Sequence, residues 1–205
     1  VQFKAEELLE KAKEELEIEK GEILVIDPSS GEIIALANFP NFNPNNYKDY
    51  ARKGNLEIFK NKATQELFEP GSVFKPITMS AALEEKEVTP DTTYFDNGSI
   101  KIGGYTIYNY DQRQYDGKIT MTNVLEKSIN TGAVFVQRQL GPNIFLNYIQ
   151  DFGFFEPSGI DIQETFSLNP ELKKGREINL ATASFGQGIE VTPMQLVRAY
   201  CTIAN

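Results

Sequence analysis

Apolar positions recur at helical spacing in the first stretch of the chain, where Ala5, Leu8, Ala12 and Leu16 are separated by Glu and Lys. That spacing predicts an amphipathic helix over residues 2–20, ended by Gly21. The pattern then changes. Two short apolar runs, residues 22–27 and 32–37, flank Pro28-Ser29-Ser30-Gly31. This is turn chemistry between β-prone segments, so a hairpin is expected. ILVI and IIALA lack a clean alternation, which implies a sheet covered on both faces. Residues 38–61 are rich in Asn, Pro, Tyr and Lys and read as an irregular loop with a short helix near 47–53. A helix through Glu85 follows Glu69-Pro70-Gly71-Ser72. Residues 89–117 form an excursion with minor strands in SIKI and YTIYNY. From Thr120 onward the chain reads as helical. Thr120 caps a short helix, a break falls at Ser128-Ile129-Asn130, and a second helix runs to Leu140. Gly141-Pro142 opens a third, and Thr192-Pro193 opens the last. A lone hairpin is marginal by itself, so its sheet is expected to continue in strands that this chain does not contain.

Composition narrows the chemistry. The chain has 205 residues, 40% apolar and 24% charged, a profile of folded proteins. It contains no histidine and one cysteine, Cys201. A Ser-His-Asp triad, a Cys-His dyad and a His/Cys zinc site are therefore impossible within it. A nucleophilic enzyme made of this chain must take its base from Lys, Asp, Glu or Tyr. The net charge of −9 disfavours a nucleic-acid partner. No apolar run is long enough to cross a bilayer, and the charged N-terminal stretch is no signal peptide, so any membrane anchor is expected outside this chain.

With imidazole excluded, serine paired with lysine at i+3 on a helix is the arrangement to seek. Of the serines, only Ser72 has Lys at that spacing, Lys75. Lysine acts as a base only if burial or neighbouring positive charge depresses its pKa. Ser72 is expected at a helix N-terminus, where the dipole favours developing negative charge. Pro76 lacks the N–H that would bond the Ser72 carbonyl, so regular helix bonding cannot begin earlier. Gly71 allows close backbone approach by a substrate. Alone the pair is weak, since a chance Ser-x-x-Lys is expected about once in a chain of this size.

The longer string Glu69-Pro70-Gly71-Ser72-Val73-Phe74-Lys75-Pro76 resembles the active-site serine motif of penicillin-binding proteins. Ser128-Ile129-Asn130 fits that superfamily's Ser-x-Asn element. Ser167-Leu168-Asn169 is a second such tripeptide. Ser128 is preferred because Thr131-Gly132-Ala133-Val134 resembles the family's continuation. GEILVIDPSSGEIIALANFPNFNPNNY, NKATQELFEPGSVFKP and FGQGIEVTPMQLVRAYCTIAN resemble further segments of the transpeptidase domain of class B penicillin-binding proteins, with the division-specific branch the nearer.

The resemblance implies an α+β, β-lactamase/transpeptidase-like fold: an antiparallel sheet flanked by helices, plus a mainly helical subdomain over residues 70–205. It implies a peptidoglycan D,D-transpeptidase that cross-links D-Ala-D-Ala stem peptides through a serine acyl-enzyme and is acylated by β-lactams. Carried over by motif, Ser72 is the nucleophile, Lys75 its base, Ser128 a proton relay and Asn130 the group orienting Lys75 and the substrate amide. No metal or cofactor is implied. The implied partners are peptidoglycan stem peptides, β-lactams, a lipid-II polymerase and divisome proteins, on the extracytoplasmic side of a bacterial membrane. One departure is plain: the chain contains no Lys-Thr-Gly or Lys-Ser-Gly. In the family this motif lies on a strand beyond the Gly-Gln-Gly helix. The chain is therefore expected to be an incomplete catalytic domain with little transpeptidation by itself.

Three other readings stay open. A serine β-lactamase needs a deacylating Glu, but Glu164 lies one residue too early before Leu168-Asn169 for the Glu-x-x-Leu-Asn string. A non-turnover penicillin-binding sensor domain is compatible with the missing third motif. In a purely structural helical domain, Lys75 is solvated and Ser72 an ordinary cap. Cys201 reads as core, Tyr105, Tyr108 and Tyr110 as cross-strand packing, and Gly186-Gln187-Gly188 as a shaping turn.

Overall fold

A computed structural model describes residues 1–54 and 56–205. In chain order the elements are α1 (Gln2–Leu16), β1 (Gly21–Ile26), β2 (Ile33–Phe39), α2 (Tyr47–Arg52), α3 (Lys62–Gln65), α4 (Lys75–Glu84), β3 (Thr93–Phe95), β4 (Ser99–Ile102), β5 (Tyr105–Tyr108), β6 (Lys118–Thr120), α5 (Met121–Glu126), α6 (Asn130–Asp151), α7 (Pro170–Lys173), α8 (Glu177–Ala183) and α9 (Pro193–Ala204). The architecture is mixed α+β, with small antiparallel sheets among helices. It divides into two compact units: residues 1–67, 157–166 and 192–205, and residues 68–156 and 167–191.

The first unit is built on the β1–β2 hairpin, paired from Gly21 with Phe39 to Ile26 with Ile33. Its turn is closed by Asp27, whose carboxylate accepts from the Ser29 N–H at 2.8 Å and whose carbonyl accepts from the Gly31 N–H at 2.8 Å. α1 packs Ala5 and Leu9 against Ala35 and Ala37. Ala5 is buried as its spacing predicts, but Leu9 takes the place expected for Leu8, which is 44% exposed, and Leu16 is 73% exposed. The helix also ends at Leu16 rather than Lys20. Glu17 turns left-handed at φ 54° and its N–H returns to the Lys13 carbonyl, so charged residues that read as more helix lead into β1 instead. On the sheet face away from α1, burial raises the pKa of Glu22 to about 7, with Glu66 adding repulsion. That face is thus partly covered as well. α9 begins with a full capping box, Thr192 and Gln195 each bonding the other's backbone N–H.

In the second unit, α4 and α6 pack together over a core that includes Phe74 and Phe154, whose ring centroids lie 5.1 Å apart. A neighbouring cluster joins Ile102 and Ile107 of the β4–β5 hairpin to Ala133, Val134, Ala181 and Phe185. Thr120 caps α5 through the Asn123 N–H at 3.2 Å, as its sequence predicts. Gly141, at φ 74°, breaks α6 where Gly-Pro predicts a new start. α8 falls in the stretch that reads as helical, and it buries Leu180, Ala181 and Ala183. Cys201 is half-buried in α9.

Candidate active site

The site lies in the second unit and is made by two bends of the chain that meet at one amine. The first bend carries Ser72. Residues Gly71–Phe74 form a 3₁₀ turn, and α4 begins only at Lys75. Pro76 explains this. It has no N–H for the Ser72 carbonyl, which takes the Lys75 N–H instead, in an i to i+3 bond. The turn is anchored from outside. Phe68 and Val191 exchange both backbone bonds at 3.0 Å. The Gly71 N–H donates to the Gly186 carbonyl at 2.9 Å, and the Glu69 carboxylate accepts from the Gly188 N–H at 2.8 Å. A Cβ on Gly186 would stand 2.2 Å from the Gly71 oxygen, and Gly186 has φ 78°. The absence of a side chain at Gly186 is what lets the Gly-Gln-Gly turn lie against the Gly71 backbone. Gly71 itself is required because its φ is 64°.

The second bend carries Ser128. After α5, the Ser128 N–H bonds the Leu125 carbonyl at 3.1 Å and the Ile129 N–H bonds the Val124 carbonyl at 2.9 Å. This is a Schellman cap, and Ile129 and Val124, the positions that carry its usual apolar pair, are both buried. Ser128 holds the left-handed position, φ 53°, that glycine usually occupies. A non-glycine there is uncommon and strained. The strain is associated with a specific geometry: both oxygens of Ser128 face Lys75.

Lys75 is 2% exposed, while the Ser72 side is open to solvent. Its Nζ donates to Ser72 Oγ at 3.1 Å, to the Ser128 carbonyl at 2.7 Å and to Ser128 Oγ at 2.9 Å. Three N–H bonds of an ammonium meet three oxygens. Burial lowers the Lys75 pKa from 10.5 to about 8. When the proton leaves, the lone pair must face a donor. The carbonyl can only accept, so one of the two hydroxyls then donates to nitrogen. The arrangement can therefore take a proton from a serine hydroxyl.

Of the four predicted site residues, the structure joins Ser72, Lys75 and Ser128. Asn130 opens α6 nearby but does not bond Lys75; its Nδ2 donates to the Tyr108 carbonyl at 2.9 Å. Ser167-Leu168-Asn169 serves another purpose. Asn169 there bonds the backbone of Glu190. A cleft of about 750 Å³ runs beside the site, lined by Tyr105, Tyr108, Asn130, Arg176, Asn179 and Gln187 among others. Tyr105, Tyr108 and Tyr110 are 65%, 51% and 76% exposed, so they border this cleft rather than pack across strands. Sequence reasoning missed Asp96, Asn109 and Thr131, which form a buried polar cluster behind Asn130.

The sequence of residues 21–205 matches the family model described as the penicillin binding protein transpeptidase domain. The chain is 34% identical over 197 residues to a peptidoglycan D,D-transpeptidase FtsI homolog of Mesostigma viride, covering 91% of this chain and 32% of that protein. It is 31% identical over 188 residues to the peptidoglycan D,D-transpeptidase FtsI of Escherichia coli K12, covering 91% and 31%. The chain spans about a third of the length of these relatives. Penicillin binding protein 3 of Mycobacterium tuberculosis, solved with aztreonam, superposes with a TM-score of 0.87 at 30% identity, covering 100% of this chain and 45% of that one.

Proposed function

The chain belongs to the penicillin-binding protein transpeptidase family, and from that premise we propose that it forms part of a serine D,D-transpeptidase that cross-links peptidoglycan stem peptides and is acylated by β-lactams. The observation that carries the reading is the convergence of Ser72 Oγ, Ser128 Oγ and the Ser128 carbonyl on the buried Lys75 amine.

In the proposed mechanism neutral Lys75 takes the proton of Ser72 as Oγ bonds to the carbonyl carbon of the penultimate D-alanine. The Ser72 N–H, at the open start of its turn, donates to the developing oxyanion, a contact worth about 3 kcal/mol in such sites. The proton passes from Lys75 through Ser128 Oγ to the departing amine, and the C–N bond breaks. D-Alanine leaves and an acyl-enzyme remains. An acceptor amine from a second stem then attacks, loses its proton along the reverse route, and Ser72 Oγ is released with its proton restored. Asn130 orients the substrate amide at the mouth of the cleft. A lipid-II polymerase and divisome proteins are the partners proposed, on the extracytoplasmic side of a bacterial membrane. A β-lactamase reading finds no support in Glu164, whose carboxylate is engaged by the Ser158 N–H and hydroxyl and by the Gly159 N–H of its own loop.

The test is labelling of the full-length protein with a fluorescent penicillin, followed by peptide mapping. A stoichiometric adduct on Ser72, absent from Ser72→Ala, is the expected result. An adduct on another residue, or none, overturns the assignment.

A further inference from the structure

The start of α6, beside Ser128 and Asn130, has a peculiarity. Its N-cap residue is Ile129, which has no side-chain group to cap a helix. The cap comes from elsewhere in the chain: Asn109 Oδ1 accepts the Thr131 N–H at 3.0 Å. Asn109 is in turn fixed by Asp96, which accepts from Asn109 Nδ2 with both carboxylate oxygens, at 3.0 and 2.9 Å. Asp96 also accepts from the Gly98 N–H at 3.0 Å, the Tyr115 N–H at 3.0 Å and the Thr131 hydroxyl at 2.6 Å. Thr131 is thus held by its backbone and its side chain together. Its one hydroxyl proton goes to the short bond with Asp96, so the Tyr94 hydroxyl, 3.2 Å away, donates to Thr131 Oγ1. Asp96, Asn109 and Thr131 are 5%, 4% and 6% exposed.

The chemistry of the cluster fits one residue type at position 96. Every group aimed at that side chain is a donor, and an ionised carboxylate is the side chain that only accepts. Asparagine would turn an NH₂ toward donors. Burying a carboxylate is costly, and apolar packing would give mere rigidity at lower cost. Two of its bonds, from the Thr131 N–H to Asn109 and from the Thr131 hydroxyl to Asp96, reach the first turn of α6, while the others tie it to the loop at Gly98, Arg113 and Tyr115. The neighbouring Tyr108 carbonyl holds Asn130 from the same side.

We propose that Asp96 is a positioning residue for the catalytic site: through Asn109 and Thr131 it fixes the first turn of α6, and so aims Ser128 at Lys75 and Asn130 at the cleft. This rests on the roles proposed for Ser72, Lys75 and Ser128. Displacement of a catalytic group by about 1 Å can cost a hundredfold in rate.

The experiment measures penicillin acylation of the full-length protein by stopped flow, separating non-covalent affinity from the acylation rate constant, with rates divided by the natively folded fraction. Asp96→Asn is expected to lower the rate constant by about tenfold or more, with affinity changed less than about twofold. Thr131→Val, which removes only the hydroxyl, is expected to lower it several-fold, and Thr131→Ser to restore it. Should Asp96→Asn not fold, the Thr131 pair decides. Thr131→Val acylating at the wild-type rate overturns the proposal, as does a Thr131→Ser that rescues nothing. Wild-type protein without an adduct on Ser72 overturns the catalytic reading and this inference with it. A labelled wild type with unaffected variants overturns the inference alone.

Discussion

The two bends that meet at Lys75 are held by different physics. The Ser72 bend is fixed by backbone sterics: a left-handed glycine, a proline without a donor, and a glycine turn lying against it too closely for any side chain. The Ser128 bend is fixed by a helix cap and by buried polar groups behind it. The first places its reactive atom with allowed residues at allowed angles. The second keeps a serine where glycine would be more comfortable. Strain therefore sits on the residue that contacts the amine twice, not on the exposed hydroxyl. Stability given up in this way accords with the role proposed for Ser128.

The largest effect should come where the bends meet. Lys75→Met removes the proposed base and all three hydrogen bonds, and acylation should fall by about 10²–10⁴-fold in a penicillin-labelling time course. In the parent protein the acylation rate should rise with pH and level off above about 8, since the proposed mechanism runs through the neutral amine. Stability carries a linked signature. The folded pKa is depressed below 10.5, so between about 8 and 10.5 the unfolded chain holds a proton that the folded chain lacks. Unfolding free energy from Lys75 therefore rises with pH across that window, and Lys75→Met should abolish the rise in denaturant titrations.

Next is the steric bend. Gly186→Ala puts a methyl group into the Gly71 backbone and a side chain at positive φ, and should cost about 2–4 kcal/mol in unfolding free energy. Unchanged stability in the Gly186→Ala protein would mean that the turn yields, and the contrast between the bends would collapse. The smallest effect is at Ser128. Ser128→Gly relieves the left-handed serine but also removes the 2.9 Å bond from Lys75 to Oγ, so in denaturant titrations it should cost less than Ser128→Ala, which loses the same bond and keeps the strain, by about 0.5–1 kcal/mol. Equal stability of the two variants would mean that the strain assigned to Ser128 is not there.

Much of this was legible along the chain, wherever the cause is local. Thr120, Thr192-Pro193 and Gly141-Pro142 announce helix ends because capping and φ restrictions involve neighbouring residues. The missing N–H of Pro76 shows in the sequence, and its consequence, a 3₁₀ turn at Ser72, is what the structure contains. The meeting of Ser72, Lys75 and Ser128 was reached through motif resemblance, since no local pattern brings residues 72 and 128 together. The Asp96 cluster left no trace. Its members lie in loops and at a helix start, far apart in sequence, and an Asp or Asn in a loop ordinarily reads as turn chemistry. In α1 the sequence cannot choose between Leu8 and Leu9, which are equally apolar, and only the sheet decides which is covered. The exposed tyrosines were misread because strand-like spacing says nothing about whether a neighbour exists on that face.

The contact between Gly71 and Gly186 also constrains how this protein can vary. Gly186 cannot accept a side chain while the Gly71 backbone stays put, whereas Gly71 has open space at its Cβ position and is limited only by its φ of 64°. The tie runs one way: a side chain at position 186 demands that the distant stretch around Gly71 shift with it, so the two must be redesigned together before the surroundings of Ser72 can be rebuilt from that side.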